Sequence, residues 1–286
     1  MPAPQTHHAF AVLSVFAALS CSALGAAYAK SLFPMIGPEG VTAFRVGVAA
    51  LLLAPIGRPW RRRLPDVSLT SVIGYGIALG LMNILIYQAF SRLPLGIAMG
   101  IEVLGPLMVA LIYSKSRLDL IWVASAFVGL FLLLPIAVSS DLDPLGLLFA
   151  GGAAICWACY ILLGRMVAPL GPTQAVSLGM AVAATFAVPF GIYGSIGTFL
   201  DGKVIAIGVS VAILSSAIPY LLEMFAFRHL SSGVAGIFLS AAPGIVAVIG
   251  LLVLGERLTS SQVLSLVLIM GATAGCAIFS GRPHQI

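Results

Sequence analysis

The chain has 286 residues, of which 60% are hydrophobic and 8% are charged, and its mean hydropathy is +1.14. Soluble domains carry about 25% charged residues, so this composition excludes a soluble enzyme and predicts a polytopic membrane protein. The excess of 14 basic over 9 acidic residues would suggest nucleic-acid binding in a soluble chain. In a membrane protein it indicates basic cytoplasmic loops, so we expect a lipid bilayer and no nucleic acid as a partner.

Apolar runs of about 17–25 residues with few charges mark helices long enough to cross a bilayer. Ten such runs predict an all-α membrane protein with ten transmembrane helices. The runs cover residues 9–30, 40–57, 68–90, 94–114, 119–138, 145–165, 172–193, 203–227, 232–254 and 260–280.

Lysine and arginine are distributed unevenly between the two sides that these spans define. With the N-terminus inside, nine basic residues fall on the cytoplasmic side and four on the opposite side, and a cluster of arginines at residues 58–63 dominates the bias. Because positive residues are enriched in cytoplasmic loops, we predict that both termini are cytoplasmic.

Two parts of the chain repeat one another at a nearly constant spacing. Pro38 matches Pro172 at a shift of 134 residues, and Pro106 matches Pro243 at a shift of 137. Each copy contains five predicted spans. Five is an odd number, so the second copy must enter the membrane upside down relative to the first.

This repeat divides the chain into two predicted domains, residues 1–138 and residues 139–286. Inverted repeats with interrupted helices near the middle of the bilayer are typical of alternating-access transporters. We therefore expect the two halves to surround a central cavity.

The fourth span carries an acid and a proline one turn apart. Pro106 leaves the carbonyl of Glu102 without its helical donor, so an acid and an unpaired carbonyl share one place in an apolar segment. That is costly in lipid unless the place faces protein or water. We predict that Glu102 lines a substrate cavity and binds an amine or a proton. The alternative is a carboxyl that neighbouring hydroxyls or amides keep neutral inside the bundle.

Prolines at two further positions, Pro219 and Pro243, lie within predicted spans and join Pro106 as predicted helix kinks. Pro219 frees the carbonyl of Ser215, and Glu223 follows one turn later. Glu223 is equally consistent with a place in the cavity and with an acid that reaches water at the interface.

Basic residues near the outer ends of the first two spans are also candidates. We interpret Lys30 as a side chain that snorkels to the membrane interface. Arg45 could also snorkel, pair with an acid or hold a substrate carboxylate, and of these we favour structural pairing. The other candidates for substrate contact are polar or aromatic residues within the spans: Asn83, Trp157, Tyr160, Tyr220 and Ser240. Tyr87 belongs to the same group but lies near a span end, where aromatic residues more often form the interfacial belt.

Motifs for catalysis or cofactor binding are absent from the sequence. The four histidines lack metal-ligand spacing, no GxxxxGK[ST] phosphate loop occurs, and no nucleophile is paired with a base. Cys156 and Cys159 have redox-motif spacing but lie in a predicted span, where we expect thiols packed between helices. We therefore expect no enzyme activity, no cofactor and no metal, and transport driven by a gradient or by downhill flow.

Several local motifs are similar to those of a known family. The two five-span copies, the GP pair at residues 105–106 and LGE at 254–256 resemble the EamA branch of the drug/metabolite transporter superfamily. Within that branch, AKSLFP at 29–34, AILS at 212–215 and LEM at 222–224 resemble the bacterial threonine/homoserine exporters.

This resemblance implies a bacterial inner-membrane exporter of L-amino acids that works by alternating access. The implied substrates are threonine-like and homoserine-like, with a broader range that includes methionine and aromatic amino acids. Export of drugs or other small metabolites is the alternative. Proton exchange and facilitated diffusion are both left open, and we expect a monomer without excluding a dimer.

Overall fold

The computed structural model describes residues 4–57, 67–112, 117–133, 142–193, 201–219, 222, 226 and 241–280, and the regular structure in these ranges is helical. A 3-10 turn, Ala168–Leu170, and a π-helical turn, Ile213–Ala217, interrupt the α-helices. The helices are α1 (Pro4–Gly57), α2 (Leu69–Phe90), α3 (Leu95–Glu102), α4 (Leu104–Ile112), α5 (Arg117–Leu133), α6 (Pro144–Val167), α7 (Pro172–Tyr193), α8 (Gly202–Ala212), α9 (Ala242–Leu254) and α10 (Ser260–Ser280).

Helix α1 consists of two arms that meet at Gly37, whose φ of 68° and ψ of 168° are open to glycine but not to residues with a side chain. Pro38 then begins the second arm, where a missing N–H costs no helical hydrogen bond. The sequence predicted a connection between residues 30 and 40, but the chain stays helical up to Gly37. The helix therefore extends beyond the predicted span at both ends.

In the part of the chain that the structure describes, four helical stretches are both long and apolar enough to cross a bilayer, at residues 10–57, 69–90, 144–170 and 173–193. Leu51, Leu148 and Leu252 are largely exposed on the outside of the bundle, as lipid-facing residues would be. Shorter apolar helices accompany them at residues 95–109, 202–216, 242–254 and 260–272. These features support an all-α membrane protein, while the ten-span inverted repeat remains a prediction.

Two glycine pairs have a spacing of four residues, Gly76 with Gly80 and Gly96 with Gly100. Such pairs are typical of membrane helices that pack closely together. A side chain at Gly76 would overlap Val182 of α7. Likewise, a Cβ at Gly100 of α3 would lie 2.7 Å from the Leu266 side chain of α10. These contacts hold α2 against α7 and α3 against α10, and the same tight packing surrounds the candidate site described below.

Helix α6 begins at a cap that also contacts another connection. Asp143 accepts a hydrogen bond of 2.9 Å from the backbone N–H of Leu145, and Pro144 occupies the first turn. Arg92 donates a 2.8 Å bond to the same carboxylate. The Arg92 bond, followed by the Leu145 N–H, holds the pKa of Asp143 below its usual value. The start of α6 is thereby tied to the connection between α2 and α3.

Lys30 is paired within the protein rather than snorkelling, so that interpretation was wrong. Its Nζ forms an ion pair with Glu256 and donates a 3.1 Å bond to the carbonyl of Leu93. The other carboxylate oxygen of Glu256 accepts a 2.8 Å bond from the backbone N–H of Leu95, which opens α3. This cluster ties the first arm of α1 to the start of α3 and to the connection between α9 and α10.

Replacing Lys30 with Met is expected to destabilise the protein by about 1–3 kcal/mol, because the largely buried Glu256 carboxylate would lose its cation. The side chains of Lys30 and Glu256 are 20% and 14% exposed. The double variant Lys30→Met/Glu256→Gln should recover part of the loss, since glutamine still accepts the Leu95 N–H. Thermal melting of the detergent-solubilised variants measures both effects.

Arg92→Met is the matched control for this prediction. The Arg92–Asp143 pair is 38% and 34% exposed, and pairs in water contribute at most about 1 kcal/mol. Strictly additive losses of stability from the Lys30 and Glu256 substitutions would contradict this account of the Lys30 cluster. A loss of stability in Arg92→Met as large as that in Lys30→Met would also contradict it.

Candidate functional site

A cavity of about 220 Å³ lies inside the bundle between helices from both halves of the chain. Its walls come from both arms of α1, from α2, α3, α6 and α9, and from the π-helical turn. Among the described lining residues, the charged ones are Arg45 and Glu102. The cavity therefore combines one positive and one negative group with an otherwise mainly apolar wall.

Glu102 reaches the cavity because the predicted fourth span is interrupted beside it. Helix α3 ends at Glu102, Val103 forms a turn, and α4 begins at Leu104, with Pro106 in its first turn. The Glu102 residue is only 4% exposed, and Arg45 is the charged group that acts on it electrostatically. An acid at the centre of a membrane helix costs about 2.5–3.5 kcal/mol on insertion scales, so a cavity position is the place where it is tolerated.

Arg45 is anchored on the π-helical turn that precedes Pro219. Its Nη2 donates a 3.2 Å bond to the carbonyl of Ser215, and its Nε donates a 3.1 Å bond to the hydroxyl of Ser216. The guanidinium also lies over the ring of Tyr87, 5.2 Å from the centroid. These bonds join Arg45 to a carbonyl and a hydroxyl of the protein, whereas the sequence had suggested pairing with an acid, and the residue also lines the cavity.

Asn83 and two aromatic residues form other parts of the wall. The Asn83 amide nitrogen donates a 2.8 Å bond to the carbonyl of Leu79, which leaves its second N–H and the side-chain oxygen for a ligand. Tyr160 stacks on Tyr75 at a centroid distance of 4.8 Å, and the two hydroxyls are 3.0 Å apart. This pair fixes the Tyr160 ring, and Trp157 lies beside it one turn earlier on α6.

Of the residues predicted from the sequence, five line this one cavity: Arg45, Asn83, Glu102, Trp157 and Tyr160. Pro219 lines it as well, whereas Pro106 and Pro243 lie in the first turns of α4 and α9. Tyr220, Glu223 and Ser240 lie outside the described residues.

The cavity is also lined by residues outside the predicted substrate contacts, among them Tyr87, which the sequence indicated only as a polar aromatic residue near a span end. Tyr87 follows Asn83 by one helical turn, so helical spacing from Asn83 would have placed it on the same face. Ser215 was noted only for its freed carbonyl, but its residue also lines the cavity. Met82 and Met99 contribute flexible apolar surface.

Within the described ranges, no group of three or more His, Cys, Asp or Glu residues is placed to hold a metal ion. The chemistry available on the cavity wall is therefore that of an acid, a guanidinium, hydroxyls, an amide and aromatic faces. These groups can bind a small polar molecule, and they include no nucleophile paired with a base.

The EamA-like transporter family model matches residues 144–278 of the chain. The threonine/homoserine exporter RhtA of Salmonella typhimurium strain LT2 is 40% identical over 277 residues, which cover 96% of this chain and 94% of the exporter. The RhtA of Escherichia coli strain K12 is 41% identical over 264 residues, covering 92% and 89%. The chain belongs to the EamA-like transporter family. It is a multi-pass membrane transporter and not an enzyme.

The chain is also similar to more distant proteins. The uncharacterized transporter YxxF of Bacillus subtilis strain 168 is 27% identical over 224 residues, 75% of this chain and 70% of that protein. One crystal structure of a protein aligns with a TM-score of 0.61 at 20% identity, covering 95% of this chain and 98% of that chain. This EamA-like chain therefore shares an overall fold with a solved structure over nearly its whole length.

Proposed function

We propose that this protein exports L-amino acids of the threonine and homoserine type across the bacterial inner membrane by alternating access. The observation that carries the proposal is that Glu102 and Arg45 line the same cavity. A free amino acid is a zwitterion, so it needs an acceptor for its ammonium group and donors for its carboxylate. Glu102 supplies the first and Arg45 supplies the second. The RhtA relatives, which are threonine/homoserine exporters, support the same substrate class.

The size of the cavity favours a single small amino acid. Drug-sized ligands occupy pockets of about 300–1,000 Å³, whereas this cavity measures about 220 Å³. Asn83 is placed to bind a threonine-like hydroxyl, and the Trp157 and Tyr160 faces allow methionine or aromatic side chains. Tyr220 and Ser240 are proposed further contacts for the substrate, and Glu223 a second acid.

The proposed topology is ten transmembrane helices in two inverted five-helix repeats, residues 1–138 and 139–286, with cytoplasmic termini. Walls drawn from both halves of the chain support a cavity between the repeats. The helix interruption before Pro106 and the π-helical turn before Pro219 support broken helices at the site, as in alternating-access transporters. On this topology, the Lys30–Glu256 and Arg92–Asp143 pairs belong to the outer side.

Two features of the proposal concern energy and assembly. The Glu102 carboxyl can carry either a proton or an ammonium group, so proton exchange is one mode of coupling and facilitated diffusion is the other. We propose a monomer, because one chain surrounds the cavity with its own helices.

A second candidate is export of drugs or other small metabolites. The apolar share of the wall, which includes Leu19, Met82 and Met99, is the feature that favours it. Such cargo would need neither the acid nor the guanidinium.

Export is tested in bacterial cells that lack their own threonine exporters and carry the chain on an inducible plasmid. The cells are fed a threonine-containing dipeptide, which raises internal threonine, and threonine in the medium is measured over time. We expect faster accumulation with the chain than with the empty vector, and slow accumulation with Glu102→Gln. Equal rates with chain and vector, together with new resistance to apolar drugs, would favour the second candidate.

A further inference from the structure

Two residues that line the cavity carry buried hydroxyl groups that lack a hydrogen-bond partner in the described part of the chain. Tyr87 is 0% exposed and Ser215 is 3% exposed, and both residues line the cavity. Buried hydroxyls in native proteins are almost always hydrogen-bonded. Two such hydroxyls in residues that line one cavity indicate that a bound ligand supplies the missing hydrogen-bond partners.

The Tyr87 hydroxyl has a fixed position because neighbours hold its ring on several sides. Phe33 meets the ring edge-on at 6.2 Å between centroids, and Phe90 does so at 5.6 Å. The Arg45 guanidinium lies over the face of the same ring at 5.2 Å. The hydroxyl cannot swing to another partner without repacking the ring.

Ser215 is held in place by contacts of its backbone and its Cβ. The Ser215 carbonyl accepts a bond from Arg45, so the π-helical turn and the guanidinium hold one another. On the other side, Gly25 of α1 packs directly on the turn, since a Cβ at Gly25 would lie 2.7 Å from the Ser215 Cβ. Both hydroxyls therefore belong to residues that contact Arg45.

The charge of Arg45 determines which ligand group fits there. A hydroxyl can donate or accept a hydrogen bond, but an ammonium group beside a guanidinium would be repelled. A carboxylate only accepts hydrogen bonds, carries the opposite charge, and has two oxygens for several donors. Glu102 on the same cavity would repel a carboxylate and attract the ammonium end.

We infer that the hydroxyls of Tyr87 and Ser215, together with the guanidinium of Arg45, form the binding site for the substrate's α-carboxylate. The inference rests on the proposed amino-acid transport and specifies how that transport recognises its cargo. Tyr87 and Ser215 then determine specificity, because they distinguish an amino acid from the corresponding amine.

The test is counterflow of radiolabelled threonine into liposomes that hold the purified full-length protein. Two quantities are measured, the half-saturating threonine concentration and the concentration of 1-amino-2-propanol that halves threonine uptake. This amine is threonine without its carboxylate. The variants are Tyr87→Phe, which keeps the ring, and Ser215→Ala, with Tyr28→Phe and Ser210→Ala as controls on exposed residues away from the cavity.

Each cavity variant should raise the half-saturating threonine concentration about tenfold, the usual cost of one hydrogen bond to a charged group. The half-inhibitory amine concentration and the melting temperature should stay unchanged, and both controls should behave as the wild type.

Unchanged threonine affinity in either folded variant would overturn the inference while leaving threonine transport intact. An equal loss of affinity for threonine and for the amine would also overturn it, because the hydroxyls would then only shape the cavity. Absence of threonine counterflow in the wild type would instead refute the proposed function itself.

Discussion

Glu102→Gln is expected to lower threonine counterflow at low substrate concentration by about tenfold or more. The substitution keeps the size and the acceptor oxygen of the side chain but removes the charge that binds the ammonium group. A hydrogen bond to a charged partner is worth about 1.5–3 kcal/mol, which corresponds to about 10–100-fold in affinity. The measurement is the initial rate of radiolabelled threonine uptake into threonine-loaded liposomes.

Glu39→Gln is the matched control for Glu102. Gln88 donates a hydrogen bond to the Glu39 carboxylate, and a glutamine at position 39 can still accept it. Glu39 is not among the residues that line the cavity. Transport that survives Glu102→Gln unchanged would make Glu102 a structural acid. Equal losses in both variants would show that removal of an acid lowers transport wherever it lies.

Gly105→Ala is expected to reduce the melting temperature and the yield of folded protein strongly. A Cβ at Gly105 would overlap the backbone carbonyl of Ala154, because α4 and α6 approach closely there. Backbone atoms cannot rotate away as a side-chain end can, so the two helices must separate. Forced overpacking typically costs about 1–3 kcal/mol, which exceeds the gain of about 1 kcal/mol from replacing glycine by alanine in a helix.

Gly151→Ala tests this reasoning with the same chemical change in α6. A Cβ at Gly151 would meet no other atom within 4 Å. The melting temperature of this variant should stay the same or rise, since only helix propensity changes. Equal melting temperatures for the Gly105 and Gly151 variants would contradict the close contact between α4 and α6.

Composition and local rules predicted the class of protein and the residues that deserve attention. Low charge and long apolar runs indicated a membrane protein, and proline chemistry identified Ser215 as a residue with a freed carbonyl. The structure shows which group uses that carbonyl, namely Arg45, which lies 170 residues away in the chain. A local rule can name an unsatisfied acceptor, but the donor depends on how distant helices pack.

Other features had no signal in the sequence at all. Lys30 and Glu256 are separated by 226 positions, and each alone resembles an ordinary interfacial charge. Their pairing depends on the meeting of α1, α3 and the connection after α9. The unpartnered hydroxyl of Tyr87 likewise follows from packing alone, because it depends on how Phe33 and Phe90 surround the ring, although the residue itself was noted from the sequence.

Counterflow with the wild-type protein tests the central claim most directly. Liposomes loaded with unlabelled threonine receive a trace of radiolabelled threonine outside, and uptake is followed with and without external homoserine. We predict a transient accumulation of label above equilibrium, abolished by excess homoserine and absent from protein-free liposomes. Label that only equilibrates, at the same rate with and without the protein, would contradict amino-acid transport by this chain.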